Sequence, residues 1–307
     1  MSFSYDLKTE IIEHRPMRAN LKMAQAYGLF LFGRRFFAEE ISLRTEHAPT
    51  ARLYAGFIKE YAGKNAQVAW SERNRGGKML YTVALILEKD RLALLERFGS
   101  EAGINTSFFS TSEEIYAFFS GVYLACGNIT DPEKSYHMEF IIAKEHLCIQ
   151  LCALLEEHIH PPKRTMRRGA FIAYYKECIQ IEDLMAFMGA SKSSLAVIDI
   201  EILKNVRNKA NRVTNCETAN IDKLVIASAA QVEDIRLLID KIGEDALPLA
   251  LRVAAKIRLD NPDVSLRELA QLMPGSISRS GMHHRLNKLS QMAKQLREAE
   301  GEEGNDV

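Results

Sequence analysis

Residues 114–127 read EIYAFFSGVYLACG, an apolar helix that carries Ser120, Gly121 and Ala125 and stops at Gly127. Residues 21–35, LKMAQAYGLFLFGRR, repeat the plan, with Gly28 inside the helix and Gly33 at its end. Side chains this small let two helix backbones come close, so the pair reads as one packed interface.

The segments downstream of each helix are repeated too. After the first come an extended stretch, FFAEEISLRTE (36–46), and a helix, ARLYAGFIKEYAG (51–63), with Leu53, Phe57 and Tyr61 on one face. Residues 66–87 read as a hairpin about Asn74–Gly77, and EKDRLALLERFG (88–99) as a short helix capped by Gly99. After the second come NITDPEKSYHMEFII (128–142), two short strands about Asp131-Pro132, and the helix KEHLCIQLCALLEEH (144–158). KRTMRRGAFIAYY (163–175) is again extended, with Gly169 as a turn or bulge, and ECIQIEDLMAFMG (177–189) is a closing helix capped by Gly189. Each copy is helix, two strands, helix, two strands, helix. A duplicated unit of that order pairs about a pseudo-twofold axis with its first helices in the middle.

The last third is helical. SLAVIDIEILKNVRNKANRV (194–213) is one long segment, and Thr214-x-x-Glu217 fits a capping box that starts a new helix. In that helix Ile221, Leu224, Val225, Val232, Ile235, Leu238 and Ile242 recur at three and four before Gly243. Asn211–Asn220 is polar enough for a hinge, although a helix can also run through it. Leu247, Leu251, Ala254 and Ile257 mark another helix, Ser265 caps a short one (266–273), and after Pro274-Gly275 a last helix covers 278–299. The expected divisions are 1–99 and 100–213 for the two repeats, 214–300 for the helical domain and 301–307 for a disordered acidic tail. The fold class is α+β followed by all-α.

Composition narrows the function. The chain of 307 residues is 47% hydrophobic and 26% charged, which excludes a disordered or fibrous protein. Lys plus Arg and Asp plus Glu are 40 each, so a chain-wide polyanion coat is excluded while a local basic patch is not. Apolar runs fall far short of the ~20 residues of a membrane span, so no membrane partner is expected. The N-terminus lacks a signal-peptide core, and five cysteines form no obvious disulfide framework, which makes the cytoplasm the expected compartment.

The strongest chemical signal lies near the C-terminus. From Leu269 to Arg297 there is no Asp or Glu, while Arg279, Arg285, Lys288, Lys294 and Arg297 fall there with His283 and His284. A short helix, a turn at Gly275 and a longer helix make a helix-turn-helix, whose second helix enters the major groove by its N-terminal end. Arg279, His283, His284 and Asn287 are the candidates for base edges, and Ser278, Ser280, Arg285 and Lys288 for phosphate. Met282, Leu286, Leu289, Met292 and Leu296 form the opposite, packing face. The plainer alternative is a solvated basic face.

Other clusters are weaker. Lys204, Arg207, Lys209 and Arg212 could touch phosphate or simply be solvated, and Arg164, Arg167 and Arg168 read better as a charged sheet edge. Cys148 and Cys152 share a helix with Leu147, Leu151 and Leu155 and read as core; His158 and His160 lack partners at zinc spacing. No phosphate-binding glycine loop or nucleophile elbow is present, so neither cofactor nor metal is expected.

Three blocks, SGVYLACGNITDPEKSYHMEF (120–140), NRVTNCETANIDK (211–223) and SLRELAQLMPGSISRSGMHHRLNKL (265–289), resemble the WhiA family of bacterial sporulation and cell-division regulators in order and spacing. The resemblance spans nearly the whole chain. It implies a two-repeat domain like that of LAGLIDADG homing endonucleases, then a helix-turn-helix domain similar to region 4 of sigma factors. Such nucleases end each central helix in a metal-binding carboxylate beside its last glycine. Here Phe32 and Cys126 stand in those places, so the repeat domain is expected to be a scaffold with no catalytic residues. The first repeat also departs from the family pattern, with Phe32, Arg34 and Arg35 where a small-residue end is usual.

The resulting expectation is a non-enzymatic, nucleoid-associated DNA-binding protein that regulates transcription in cell division, chromosome segregation or sporulation. Its partners would be double-stranded DNA and, on the repeat domain, another transcription factor or RNA polymerase. The alternative is an interaction scaffold whose repeat domain binds a partner or ligand, with DNA contact secondary.

Overall fold

A computed structural model describes residues 2–100, 102–275 and 277–303, and the backbone divides into two units, 1–205 and 206–307. The first unit opens with α1 (Phe3–Glu13). The first repeat follows as α2 (Ala19–Leu31), β1 (Arg35–Phe36), β2 (Ile41–Thr45), α3 (Ala48–Tyr61), β3 (Val68–Arg75), β4 (Lys78–Leu85) and α4 (Glu88–Phe98). The second is α5 (Ser112–Cys126), β5 (Gly127–Ile129), β6 (Met138–Ile142), α6 (Glu145–His158), β7 (Lys163–Arg167), β8 (Ala170–Tyr175) and α7 (Cys178–Phe187). Both repeats have the expected element order, and their antiparallel sheets share one topology, β1-β2-β4-β3 and β5-β6-β8-β7. Between the paired residues Arg75 and Lys78, Gly76 and Gly77 take φ of 60° and 85°, as a two-residue hairpin turn of type I′ requires.

The two central helices pack as their small residues predict. A Cβ on Gly28 would lie 2.3 Å from the Phe118 carbonyl oxygen, and one on Gly121 only 2.0 Å from that of Gln25. Across this contact the Gln25 amide donates to Ser120 Oγ at 2.9 Å. Around it Tyr27, Phe30, Phe118 and Phe119 are fully buried. Burying such a phenylalanine contributes about 1.5–3 kcal/mol.

Two features depart from the sequence reading. The first is α1, a helix that reading did not anticipate, which buries Leu7 and Ile11 in the repeat-domain core. Its Glu10 carboxylate accepts the N–H groups of Lys192 (2.7 Å) and Ser193 (2.9 Å) at the start of α8 (Ser191–Ile242), where a negative charge suits the helix dipole. The second is α8 itself, one helix of 52 residues. The helix start expected at Thr214 is absent, and of the two readings of Asn211–Asn220, a hinge or a helix running through, the continuous helix is the one observed. Nothing between residues 191 and 242 is Gly or Pro, so the ladder continues through the polar stretch and leaves no orphan N–H for a cap. The division expected at 213/214 therefore has no break in secondary structure behind it.

In the second unit, the end of α8 packs with α9 (Leu249–Asp260), α10 (Leu266–Leu272) and α11 (Arg279–Glu303). Ser265 caps α10 as expected, and Glu268 completes a capping box with it. Arg258 is 2% exposed; its guanidinium donates to the Val264 carbonyl at 2.8 Å and to Gln231 Oε1 at 3.0 Å, tying the α9–α10 connection to α8. Residues 301–303, expected in a disordered tail, continue α11, and the rest of that tail, 304–307, lies outside the described residues. Among the described residues no helix is long and apolar enough to cross a membrane.

Candidate nucleic-acid interface

α10 and α11 meet across a break in which Gly275 has φ +83°. Ser278 caps α11: its carbonyl accepts from Met282 N at 3.0 Å and its Oγ from Gly281 N at 3.1 Å. The cap leaves the hydroxyl proton of Ser278 to donate elsewhere. Met282, Leu286, Leu289 and Ala293 are buried in the helical core, and Met292 and Leu296 pack against it partly buried. This is the packing face read from the sequence, extended by Ala293.

The other candidates lie on the rest of the helix surface. Arg279, Ser280, His283, His284, Asn287 and Lys288 are exposed, as is Ser278, while Arg285 is half-buried on the flank. Asn287 Nδ2 lies 3.1 Å from His283 Nε2, one turn apart. When that nitrogen accepts, the bond fixes the carboxamide plane and leaves Asn287 its Oδ1 and a second N–H, the donor and acceptor that match an adenine edge. Among the described residues no ion pair engages Arg279 or Lys288. Two cations of the same run are occupied: Arg297 pairs with Asp234 of α8 at 2.8 Å, and Lys294 lies 3.7 Å from Glu298.

The weaker clusters resolve differently. Lys204 donates to the Pro132 carbonyl at 2.6 Å and sits 4.4 Å over the Tyr136 ring, which removes it from the phosphate candidates. Arg207, Lys209 and Arg212 are exposed on α8. Arg164 and Arg167 lie on β7, an edge strand, and Arg167 Nη2 donates to both carboxylate oxygens of Glu139 at 3.1 Å. Cys148 and Cys152 are buried in the core, and His160 pairs with Asp183 at 2.8 Å. One donor cluster went unread: Cys178, Glu182 and Glu201, whose ligand-capable atoms lie within 4.8 Å of one another. Cys178 donates to Glu182 Oε1 at 2.9 Å, and burial plus the carboxylates push the thiol up, so it stays protonated. The i, i+4 spacing of Cys178 and Glu182 was the visible signal; Glu201 comes from another helix.

At the ends of α2 and α5, Phe32 is buried and touches the Phe118 ring edge-on at 6.1 Å. Cys126 Sγ donates to the Val122 carbonyl at 3.4 Å, and burial pushes its thiol up to about 12 despite the nearby Lys8 ammonium. A phenyl ring and a protonated thiol are poor ligands for magnesium, which takes oxygen donors.

Fold and site together define a helix-turn-helix protein built with a duplicated LAGLIDADG-like domain. Residues 115–207 match the family model of the WhiA LAGLIDADG-like domain, and residues 210–293 that of the WhiA C-terminal HTH domain. The chain is 32% identical over 315 residues to the "Probable cell division protein WhiA" of Clostridium botulinum, covering 97% of this chain and 99% of that one. With the protein of that name from Clostridium tetani it shares 33% over 322 residues, covering 99% and 100%. The crystal structure of full-length DUF199/WhiA from Thermotoga maritima has the same fold, with a TM-score of 0.59 at 19% identity over 96% of this chain and 99% of that one. The chain belongs to the WhiA family.

Proposed function

We propose that this protein is a sequence-specific DNA-binding transcriptional regulator. It acts in cell division, the role its relatives' names carry, and in chromosome segregation or sporulation where the organism requires them. The observation that carries this is the exposed face of α11, free of carboxylates through residue 297 and backed by a packed helical core. Arg279, His283, His284 and Asn287 meet base edges. Ser278, Ser280, Lys288 and the flanking Arg285 meet phosphate. The LAGLIDADG-like domain serves as a scaffold without nuclease chemistry, because Phe32 and Cys126 cannot replace two metal-binding carboxylates. So few cations give modest affinity alone, so a protein partner on the repeat domain contributes to tight binding.

Selection of bound sequences from random duplex DNA in magnesium tests this. The full chain should enrich one motif and leave the DNA intact. Arg279→Ala should weaken that motif by ~1–3 kcal/mol and relax one base position. An equal loss on every sequence would sink the base-reading role of Arg279. Magnesium-dependent cleavage would overturn the scaffold reading.

A further inference from the structure

A concavity of the repeat domain lies at the ends of α2 and α5 and encloses about 620 Å³, within the range of small-molecule sites. Six cationic side chains line it: Lys8, Arg34, Arg35, Arg44, Lys78 and Lys144. Glu46 is the one carboxylate among the described lining residues, and Lys78 already pairs with it at 3.1 Å. Six elements supply one each: α1, the turn after α2, β1, β2, the start of β4 and the entry to α6. Net positive charge gathered in a concave, low-dielectric wall focuses its field on the space inside.

The cations lie at two depths. Arg34, Arg35, Arg44 and Lys78 are exposed and form a rim. Lys8 sits deeper, beside Cys126 and 5.7 Å from the Tyr123 ring centre; its ammonium donates to the Leu124 carbonyl over a long 3.4 Å. Partial burial pulls that ammonium down to about 8, so a half-buried cation stands weakly compensated at the cleft floor. Around it Phe32, Ile142 and Leu147 give an apolar floor. A convex duplex would meet the rim but not the floor. A small molecule with a phosphate group and a flat apolar moiety would use both.

We infer that this cleft binds a small phosphorylated molecule of the nucleotide class, its phosphates held by Lys8, Arg34 and Arg44 and its apolar part resting against Phe32. This site is separate from the DNA-reading face of α11 and does not depend on that reading.

Calorimetric titration of the full chain with ATP, inorganic pyrophosphate and adenosine tests it. ATP should bind, pyrophosphate more weakly, and adenosine not measurably. Arg44→Ala and Lys8→Met should each weaken ATP about tenfold or more, as loss of a charged hydrogen bond does. Arg164→Ala, on the β7 edge, should leave it unchanged. Circular dichroism checks the fold of Lys8→Met; if it fails to fold, Arg44→Ala on the exposed rim decides. ATP binding that survives Arg44→Ala, or no binding of any probe at millimolar concentration, would overturn the inference. So would displacement of ATP by duplex DNA from a chain carrying both Arg279→Ala and Lys288→Ala, since the cleft would then be a DNA contact.

Discussion

Two cationic surfaces of this chain are built in opposite ways. On α11 the charges stand on a convex helix face, each side chain hydrated by itself and open to screening by salt. In the cleft at the ends of α2 and α5 they converge on a concavity, with Lys8 behind a rim and apolar side chains beneath. A convex strip of cations fits a long, regular polyanion that it can track; a lined hollow fits a short one that it can surround. A net charge of zero hides both, because the compensating acids are spread elsewhere.

The contrast between the surfaces breaks most readily through the central helices. Gly121→Leu would drive a side chain into the Gln25 carbonyl and should cost about 4 kcal/mol or more, beyond ordinary overpacking. Calorimetry should show the transition of the repeat domain lost or lowered while that of the helical unit persists. A single shared transition that moves as a whole would show the two surfaces to rest on one folding unit.

Arg258→Met is the reciprocal lesion. It strips buried carbonyls and Gln231 of a charged donor and should cost about 2–3 kcal/mol in the helical unit. Duplex binding should then fail at lower temperature than in the parent chain, with ATP titration unaffected.

Acid should separate the surfaces next. Burial, with Lys8 adding to it, holds His47 down at about 4, against 6.5 for the free group. Its Nδ1 accepts the Thr50 N–H at 3.2 Å as the cap of α3. The unfolded chain takes up the proton first as pH falls. The repeat domain should therefore keep this contribution above about 6.5 and lose it by about 4. A cap of this kind is worth about 1 kcal/mol. Chemical denaturation across that range should show a pH slope that His47→Asn flattens.

The smallest effect sharpens the contrast. Lys288→Ala should weaken all duplexes alike, by less than about 1 kcal/mol, and lower the salt slope of binding by about one. Arg44→Ala should leave that slope unchanged.

The two surfaces were unequally visible in the amino-acid chain. Every residue of the α11 face lies within eleven positions of Ser278 on one helix, so charge bias and periodicity expose it directly. The repeats were legible for a similar reason: Gly33 and Gly127, the paired strands and the capping glycines recur in order. The cleft was not, because Lys8, Arg44 and Lys144 meet only after the chain folds. Thr214 misled because a capping box is a local pattern that a continuous helix overrides when no Gly or Pro interrupts it. The helix α1 passed unread because Leu7 and Ile11 offer only one turn of apolar spacing.

The contact between Glu10 and Ser193 sets an order of events during synthesis. The acceptor leaves the ribosome 183 residues before its donor. At about 5–20 residues per second, that is a wait of about 10–40 s. Until then Glu10, buried in the finished domain, has no helix end to cap, and both repeats must be made before α1 can settle. The first turns of this protein are thus among the last parts of its repeat domain to be completed.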